Sequence, residues 1–312
     1  MSALAWAAGG LLVATESGLY RAVGELVAPL EGPVLGLTAW PGAELWCARA
    51  SGLACSRDGG VTWQPGPQAP APPPQQREVT SLRALAAGPD GRLCIVIHTS
   101  WLAFYPESAG PTPLLHAAGM MRDHAWVFEG GAWSPALESG PLHGACFDRE
   151  GRAWVAGDGG LWRFADGAWH HVVSRPAIAV AVDPRGRVVL ATTRAAFLST
   201  DGKTFAAMGT SYREKGPWGS LEGNAEELTT LVLAPDGAVW AASASASSGG
   251  VFRLAGKGAH WESHNFGLLN IPGVGSREGD VRVTALAFGP DAAFAGTASH
   301  GLFQRTRTSV PQ

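Results

Sequence analysis

Residues 149–169 read Arg149-Glu-Gly-Arg-Ala-Trp-Val-Ala-Gly-Asp-Gly-Gly-Leu-Trp-Arg-Phe-Ala-Asp-Gly-Ala-Trp169. Two short runs of small, β-branched and aromatic residues, 153–156 and 161–164, lie between turns that each carry glycine. A third run opens at Ala168-Trp169. Glycine supplies the positive-φ positions that tight hairpin turns require, so the stretch predicts antiparallel strands joined in a meander.

The same pattern repeats along the chain. Gly18-Leu-Tyr-Arg21, Gly160-Leu-Trp-Arg163, Gly250-Val-Phe-Arg253 and Gly301-Leu-Phe-Gln304 match it closely, and Gly52-Leu-Ala-Cys55 and Ala195-Ala-Phe-Leu198 match it loosely. Upstream of each copy lies a run such as Leu12-Val-Ala-Thr15 or Val239-Trp-Ala-Ala-Ser243. Before that run comes a turn such as Pro89-Asp-Gly-Arg92, Pro184-Arg-Gly-Arg187 or Pro235-Asp-Gly-Ala238, where proline presets φ and glycine takes the left-handed position. Downstream, Thr62-Trp63, Ala132-Trp133, Thr204-Phe205 and His260-Trp261 open a last strand. Each unit is thus four strands, a to d.

Units begin near residues 3, 34, 81, 142, 177, 229 and 282. Seven units in 312 residues give about 45 residues each, the length of a propeller blade. The expectation is an all-β chain, 1–312, forming a single β-propeller of four-stranded antiparallel blades, seven in number, with six or eight as alternatives. The alternatives arise at 77–137, where Trp101-Leu-Ala-Phe-Tyr105 and Ala125-Trp-Val-Phe128 compete for strand c. One unit with an insertion at 105–123 is the reading adopted. The last unit ends after strand c near 305–308, which leaves closure of the ring by strand sharing open.

Composition agrees. Hydrophobic residues make up 46% and charged residues 16%, with 42 Gly and 22 Pro, so the chain is too apolar for disorder and too rich in turn formers for long helices. The 23 Lys+Arg against 26 Asp+Glu leave a net charge of -3, which gives no basic field for nucleic acid or an anionic membrane. No apolar run approaches the roughly 18 residues of a membrane span. The first basic residue is Arg21, so the apolar N-terminus lacks a cationic n-region and is read as mature protein, with a cytoplasmic location expected. Cys47, Cys55, Cys94 and Cys146 form no CxxC pair and are read as reduced thiols. Cys47 and Cys55 flank a turn and are the one candidate for a cross-strand disulfide.

Residues 56–63, Ser-Arg-Asp-Gly-Gly-Val-Thr-Trp, fit S/T-x-D-x-G-x-T-W at every specified position. The segment resembles the Asp-box, or BNR repeat, of sialidases, sortilin-type propellers and photosystem II assembly factors. Ser199-Thr-Asp-Gly-Lys-Thr-Phe205 is similar to a worn copy, and Ala165-Asp-Gly-Ala-Trp169 keeps less. The box is read as structural. Ser56 and Asp58 accept backbone N–H groups of the c–d turn, Gly60 or its neighbour takes positive φ, Thr62 completes the motif, and Trp63 packs back on the blade.

In an up-and-down meander the a–b and c–d turns share one face of the ring, and the b–c turns and d-to-a connections share the other. The long connections 65–78, 209–227 and 266–281 fall on the second face, where binding residues concentrate. Tyr212, Arg213, Glu214, Trp218, Asn270 and Arg277 are the candidate binding residues, with another protein as the expected partner and the oligomeric state open. No catalytic residue, metal ligand or cofactor is assigned. Sialidase chemistry, as the resemblance implies, needs an arginine triad, a glutamate-activated tyrosine and an acid. Only Tyr20, Tyr105 and Tyr212 exist, and Tyr212-Arg213-Glu214 is the one suggestive cluster. Residues 151–164 are also similar to the propeller repeats of two-component sensors and streptogramin lyases, which makes His98 and His143 candidates by position alone. The functional reading is a non-catalytic scaffold, with a glycosidase-like or lyase-like enzyme as the alternative.

Overall fold

Short apolar runs broken by glycine turns leave each strand one economical way to satisfy its backbone, which is to pair with the next run along the chain. The computed structural model describes residues 3–7, 10–22, 26–31, 33–39, 44–49, 51–70, 79–106, 115–183, 185–192, 195–208, 211–216, 219–224, 228–234, 236–243, 250–255, 260–264, 283–289, 292–297 and 301–306. These form seven antiparallel meanders arranged as a seven-bladed β-propeller. The first blade is Ala3–Ala7, Gly10–Thr15, Gly18–Arg21 and Leu26–Glu31. The fourth, which contains the stretch quoted at the outset, is Leu142–Phe147, Ala153–Gly157, Gly160–Ala165 and Ala168–Val173. At its b–c hairpin Gly160 has φ 124°, and a Cβ there would stand 1.8 Å from the Val173 carbonyl oxygen, so only glycine fits.

The core is divided among the seams between blades. Leu12, Leu19, Leu45 and Cys47 fill the seam of blades 1 and 2. Trp46, Leu93 and Ile95 fill the next, followed by Cys94, Val155 and Phe164 between blades 3 and 4. Trp154 and Leu190 then join blades 4 and 5, and Phe252 and Trp261 join 5 and 6. Alternating residues of each strand face opposite seams, which is why the runs read as continuously apolar rather than alternating. That parity also settles the cysteines. Cys47 lies opposite Ala54 and Cys55 opposite Trp46, so the two thiols face different seams; all four cysteines are free. Burial pushes Cys47 up to about 11 and Cys94 up to about 12.

Three departures from the expected blade matter for function. In blade 3 the described residues of the expected insertion, 105–106 and 115–123, are strand. Strand b runs unbroken through Leu93–Pro106 and strand c through Leu115–Glu129, so Trp101–Tyr105 continues strand b and only Ala125–Phe128 belongs to c. Nothing from 93 to 105 is a glycine or proline, so the chain has no place to fold back. Within the connection 209–227 the described residues are also strand: Ser211–Gly216 and Gly219–Asn224 pair with each other, and Ser211–Gly216 pairs in parallel with His260–Ser263, the outermost of the four meander strands of blade 6. The hairpin covers an edge that would otherwise stay unpaired. Finally, blade 7 consists of Val283–Phe288, Ala292–Thr297 and Leu302–Thr306 alone among the described residues. Among the described residues the ring closes there by packing. Leu4 of blade 1 joins Leu11 and Val13 against Ala287, Ala292, Phe294 and Leu302, and Trp6 stacks on Phe294 at 5.6 Å, lying over Gly289.

Candidate functional site

Polar residues cluster on both faces, and their geometry differs. On the a–b and c–d face they close turns. Ser56 Oγ donates to Asp58 Oδ1 at 2.8 Å and accepts from the Gly60 N–H at 2.8 Å. Asp58 further accepts from the Val61 N–H at 3.0 Å, the Thr62 N–H at 2.8 Å and the Thr62 hydroxyl at 2.5 Å. Gly59 and Gly60 both take positive φ, 73° and 90°, and the Trp63 indole donates to the Gly60 carbonyl at 3.2 Å. Ser199 and Asp201 repeat the arrangement, Asp201 accepting from the Lys203 and Thr204 N–H groups at 2.8 and 2.7 Å. These accepted hydrogen bonds hold both carboxyls well below the usual carboxylate range, those from Thr62 leading at Asp58 and the one from the Thr204 N–H leading at Asp201.

The a–b turns carry staples that the sequence reading missed. Asp148 is 2% exposed and accepts from the Arg152 N–H at 2.9 Å, Arg152 Nε at 2.6 Å and the Trp154 indole at 2.9 Å. Asp183, one blade on, accepts from the Arg185 and Arg187 N–H groups and from Arg187 Nε. The signal was present as a repeated Asp-x-x-Gly-Arg, in which the aspartate stands one place before the four-residue turn.

On the b–c face one carboxylate links two blades instead. His98 and Asp123 lie directly opposite on strands b and c of blade 3, and His98 Nδ1 donates to Asp123 Oδ1 at 2.5 Å. The other oxygen, Oδ2, accepts at 2.7 Å from the Leu142 N–H, the first residue of blade 4. His143, the next residue, pairs with Asp158 of the b–c turn at 2.8 Å. On the opposite side of the same hairpin His124 stacks on Trp126, and its Nε2 stands 3.8 Å from Glu138. A carboxylate that orients a histidine is the form a general base takes. Here both Asp123 oxygens are engaged and Thr99 faces the other seam. Among the described residues no three His, Cys, Asp or Glu side chains converge as metal ligands. The arrangement fastens blade 3 to blade 4 at the base of the projecting strands.

Those strands extend past the rest of blade 3. Strand a of blade 3 pairs with strand b only as far as Ser100, so among the described residues 101–106 and 115–120 pair with each other alone. At 3.3 Å per residue the six-residue overhang is roughly 20 Å long. Its strands carry Trp101, Phe104 and Tyr105 in sequence. Tyr212, Arg213 and Glu214 are placed in the hairpin at the outer edge of blade 6, Tyr212 opposite Trp261 and Arg213 opposite Glu262. Because Ser211–Gly216 runs parallel to the outermost strand, Tyr212 begins toward the c–d end and Gly216 reaches the b–c end. Trp218, Asn270 and Arg277 lie outside the described residues. The sequence reading did not reach Asp123, Asp158 or Glu138, whose positions follow only from pairing register.

No family model matches the chain, and no curated protein matches it. Among solved structures, a chain of the mitotic checkpoint complex aligns over 98% of this chain and 90% of its own length, with a TM-score of 0.56 and 13% identity, a likeness of fold. A protein of unknown function from Dyadobacter fermentans aligns over 86% of this chain and 92% of its own, at TM-score 0.43 and 14% identity. The extracellular domain of a putative one-component system from B. thetaiotaomicron aligns over 97% of this chain and 47% of its own, at TM-score 0.37 and 13% identity.

Proposed function

We propose that this chain is a non-catalytic propeller of the Asp-box kind that recognises a partner protein on its b–c face and acts as an assembly scaffold. The observation that carries the reading is the two-stranded arm of blade 3. An isolated two-stranded ribbon is marginally stable in water, and its unpaired edges are ready templates for another chain. Holding one rigid at its base by the His98–Asp123–Leu142 link and extending it beyond the ring presents a surface whose natural complement is protein. The Asp-box assignment rests on the hydrogen bonds of Ser56, Asp58, Gly60 and Thr62, and a cytoplasmic setting rests on four free cysteines. The test replaces 101–120 with an Asn-Gly turn. The shortened protein keeps the melting temperature of the wild type but captures no stoichiometric partner from native lysate, whereas the wild type does. Equal capture by both proteins removes the arm from the account.

The alternative of a lyase-like or glycosidase-like enzyme has one observation in its favour, the two histidine–aspartate pairs on the same face. Turnover of a fluorogenic sialoside, or metal-dependent turnover of a cyclic lactone, abolished by His98→Ala, decides for it.

A further inference from the structure

The seam between blades 6 and 7 holds an open cavity of about 90 Å³ lined by Trp240, Val251, Phe288 and Phe303. Its place in the fold explains its presence. In blades 3, 4 and 6 an aromatic of strand d stands opposite the same position of strand c, as Trp133 opposite Phe128, Trp169 opposite Phe164 and Trp261 opposite Leu254. Trp261 is completely buried by this arrangement. In blade 7 the corresponding position of strand c is Arg305, and among the described residues no strand pairs with the outer edge of Leu302–Thr306. The cavity is the slot that a fourth strand's side chain fills in blades 3, 4 and 6.

Two buried donors in the same lining have no acceptor. Trp240 is 9% exposed and its indole Nε1 is unpartnered. Arg305 donates to His264 Nδ1 at 2.9 Å, which makes Nδ1 the acceptor and places the ring hydrogen on Nε2. That Nε2 is buried and unpartnered, with Glu262 4.0 Å away and beyond hydrogen-bond reach. Burial, and then the Arg305 charge, push His264 down to about 4, so the neutral tautomer is the one present at neutral pH. Leaving a buried donor unmade is costly, and two facing one apolar slot define a ligand that brings acceptor oxygens beside an apolar group. A peptide strand, with a carbonyl at every residue, has that chemistry.

We propose that this seam is a peptide-binding site: an extended segment of a partner protein adds to the open edge of Leu302–Thr306 and seats one aromatic or branched apolar side chain in the cavity, its acceptor oxygens answering Trp240 and His264. This is strand addition to a sheet edge with one specificity pocket. It uses the rim of the ring and stands whether or not the b–c face binds a partner.

The probe is a fluorescein-labelled nonapeptide copying residues 166–174 of this chain, Asp-Gly-Ala-Trp-His-His-Val-Val-Ser, the strand that completes blade 4. It is expected to raise anisotropy on binding the full-length protein and to move the Trp240 indole N–H resonance downfield. The same peptide with alanine in place of tryptophan should bind at least tenfold more weakly. Ala293→Phe, which fills the cavity from strand b, should do likewise. If Ala293→Phe fails to fold, the Trp240 resonance in the wild type still decides. No binding at millimolar peptide by a folded wild type overturns the proposal. A Trp240 indole already hydrogen-bonded in the free monomer assigns the slot to this chain's own residues, and a dimer that Ala293→Phe dissociates assigns it to a second copy; either result also overturns it.

Discussion

The two faces of the propeller use carboxylates to opposite ends. On the a–b and c–d face Asp58, Asp148, Asp183 and Asp201 each bind groups in or beside their own turn, two to six residues away. On the b–c face Asp123 joins His98 of one blade to the backbone of the next, 25 and 19 residues away. Local staples make a turn that any blade can carry, and so they recur. Asp123 links two blades where blade 3 extends beyond the ring, and that long-range engagement sets it apart from the turn staples.

The largest effect on stability is expected from buried carboxylates, of which Asp148 and Asp123 represent one face each. Asp148→Ala and Asp123→Ala should each lower the unfolding free energy by about 3 kcal/mol, because each strands buried donors without an acceptor. Urea denaturation measures both. The faces separate in binding: Asp148→Ala should leave partner capture by the folded fraction intact, while Asp123→Ala should reduce it by loosening the base of the arm. Equal loss in both would erase the distinction.

The exposed staples should act more weakly. Asp58→Asn and Asp201→Asn should lower the melting temperature by a few degrees at pH 7 without changing partner capture. Both carboxyls are depressed in the folded state, so their contribution is present above the unfolded value of about 3.9 and is lost as pH falls toward the folded values. The gap between wild type and the double variant should therefore narrow below about pH 4. A gap that widens in acid would mean the carboxyls are not the acceptors. Smaller still, Arg213→Ala with Trp218→Ala should weaken partner binding about tenfold, roughly 1.4 kcal/mol, with the melting curve retained. Unchanged binding by the folded double variant would remove Arg213 and Trp218 from the recognition surface.

Much of the fold was legible because the repeat is local. Gly160-Leu-Trp-Arg163 and its copies fix where strand c starts, and Pro-x-Gly-Arg turns fix where b follows a. The same locality explains the misses. Trp101–Tyr105 carries the aromatic signature of strand c, but only the absence of a turn residue after Leu93 shows that strand b continues. The hairpin at 211–224 shows β-forming residues between glycines, yet its parallel pairing with blade 6 is long-range and leaves no mark in the sequence. His98 was visible as a residue near an inner strand. Its partner Asp123 was not, since it is brought opposite by a register counted across a 14-residue strand. The seam cavity belongs to the same class, since it lies beside a blade that has three strands among the described residues.

The central claim is that partner recognition belongs to the b–c face and its arm, while the opposite face is scaffold. Hydrogen–deuterium exchange on the captured complex tests it most directly. The account predicts that backbone exchange slows at 101–106 and 115–120 on binding and stays unchanged at 56–63 and 199–205. Protection appearing over the Asp58 and Asp201 turns, with the arm exchanging as freely as in the unbound protein, would contradict it.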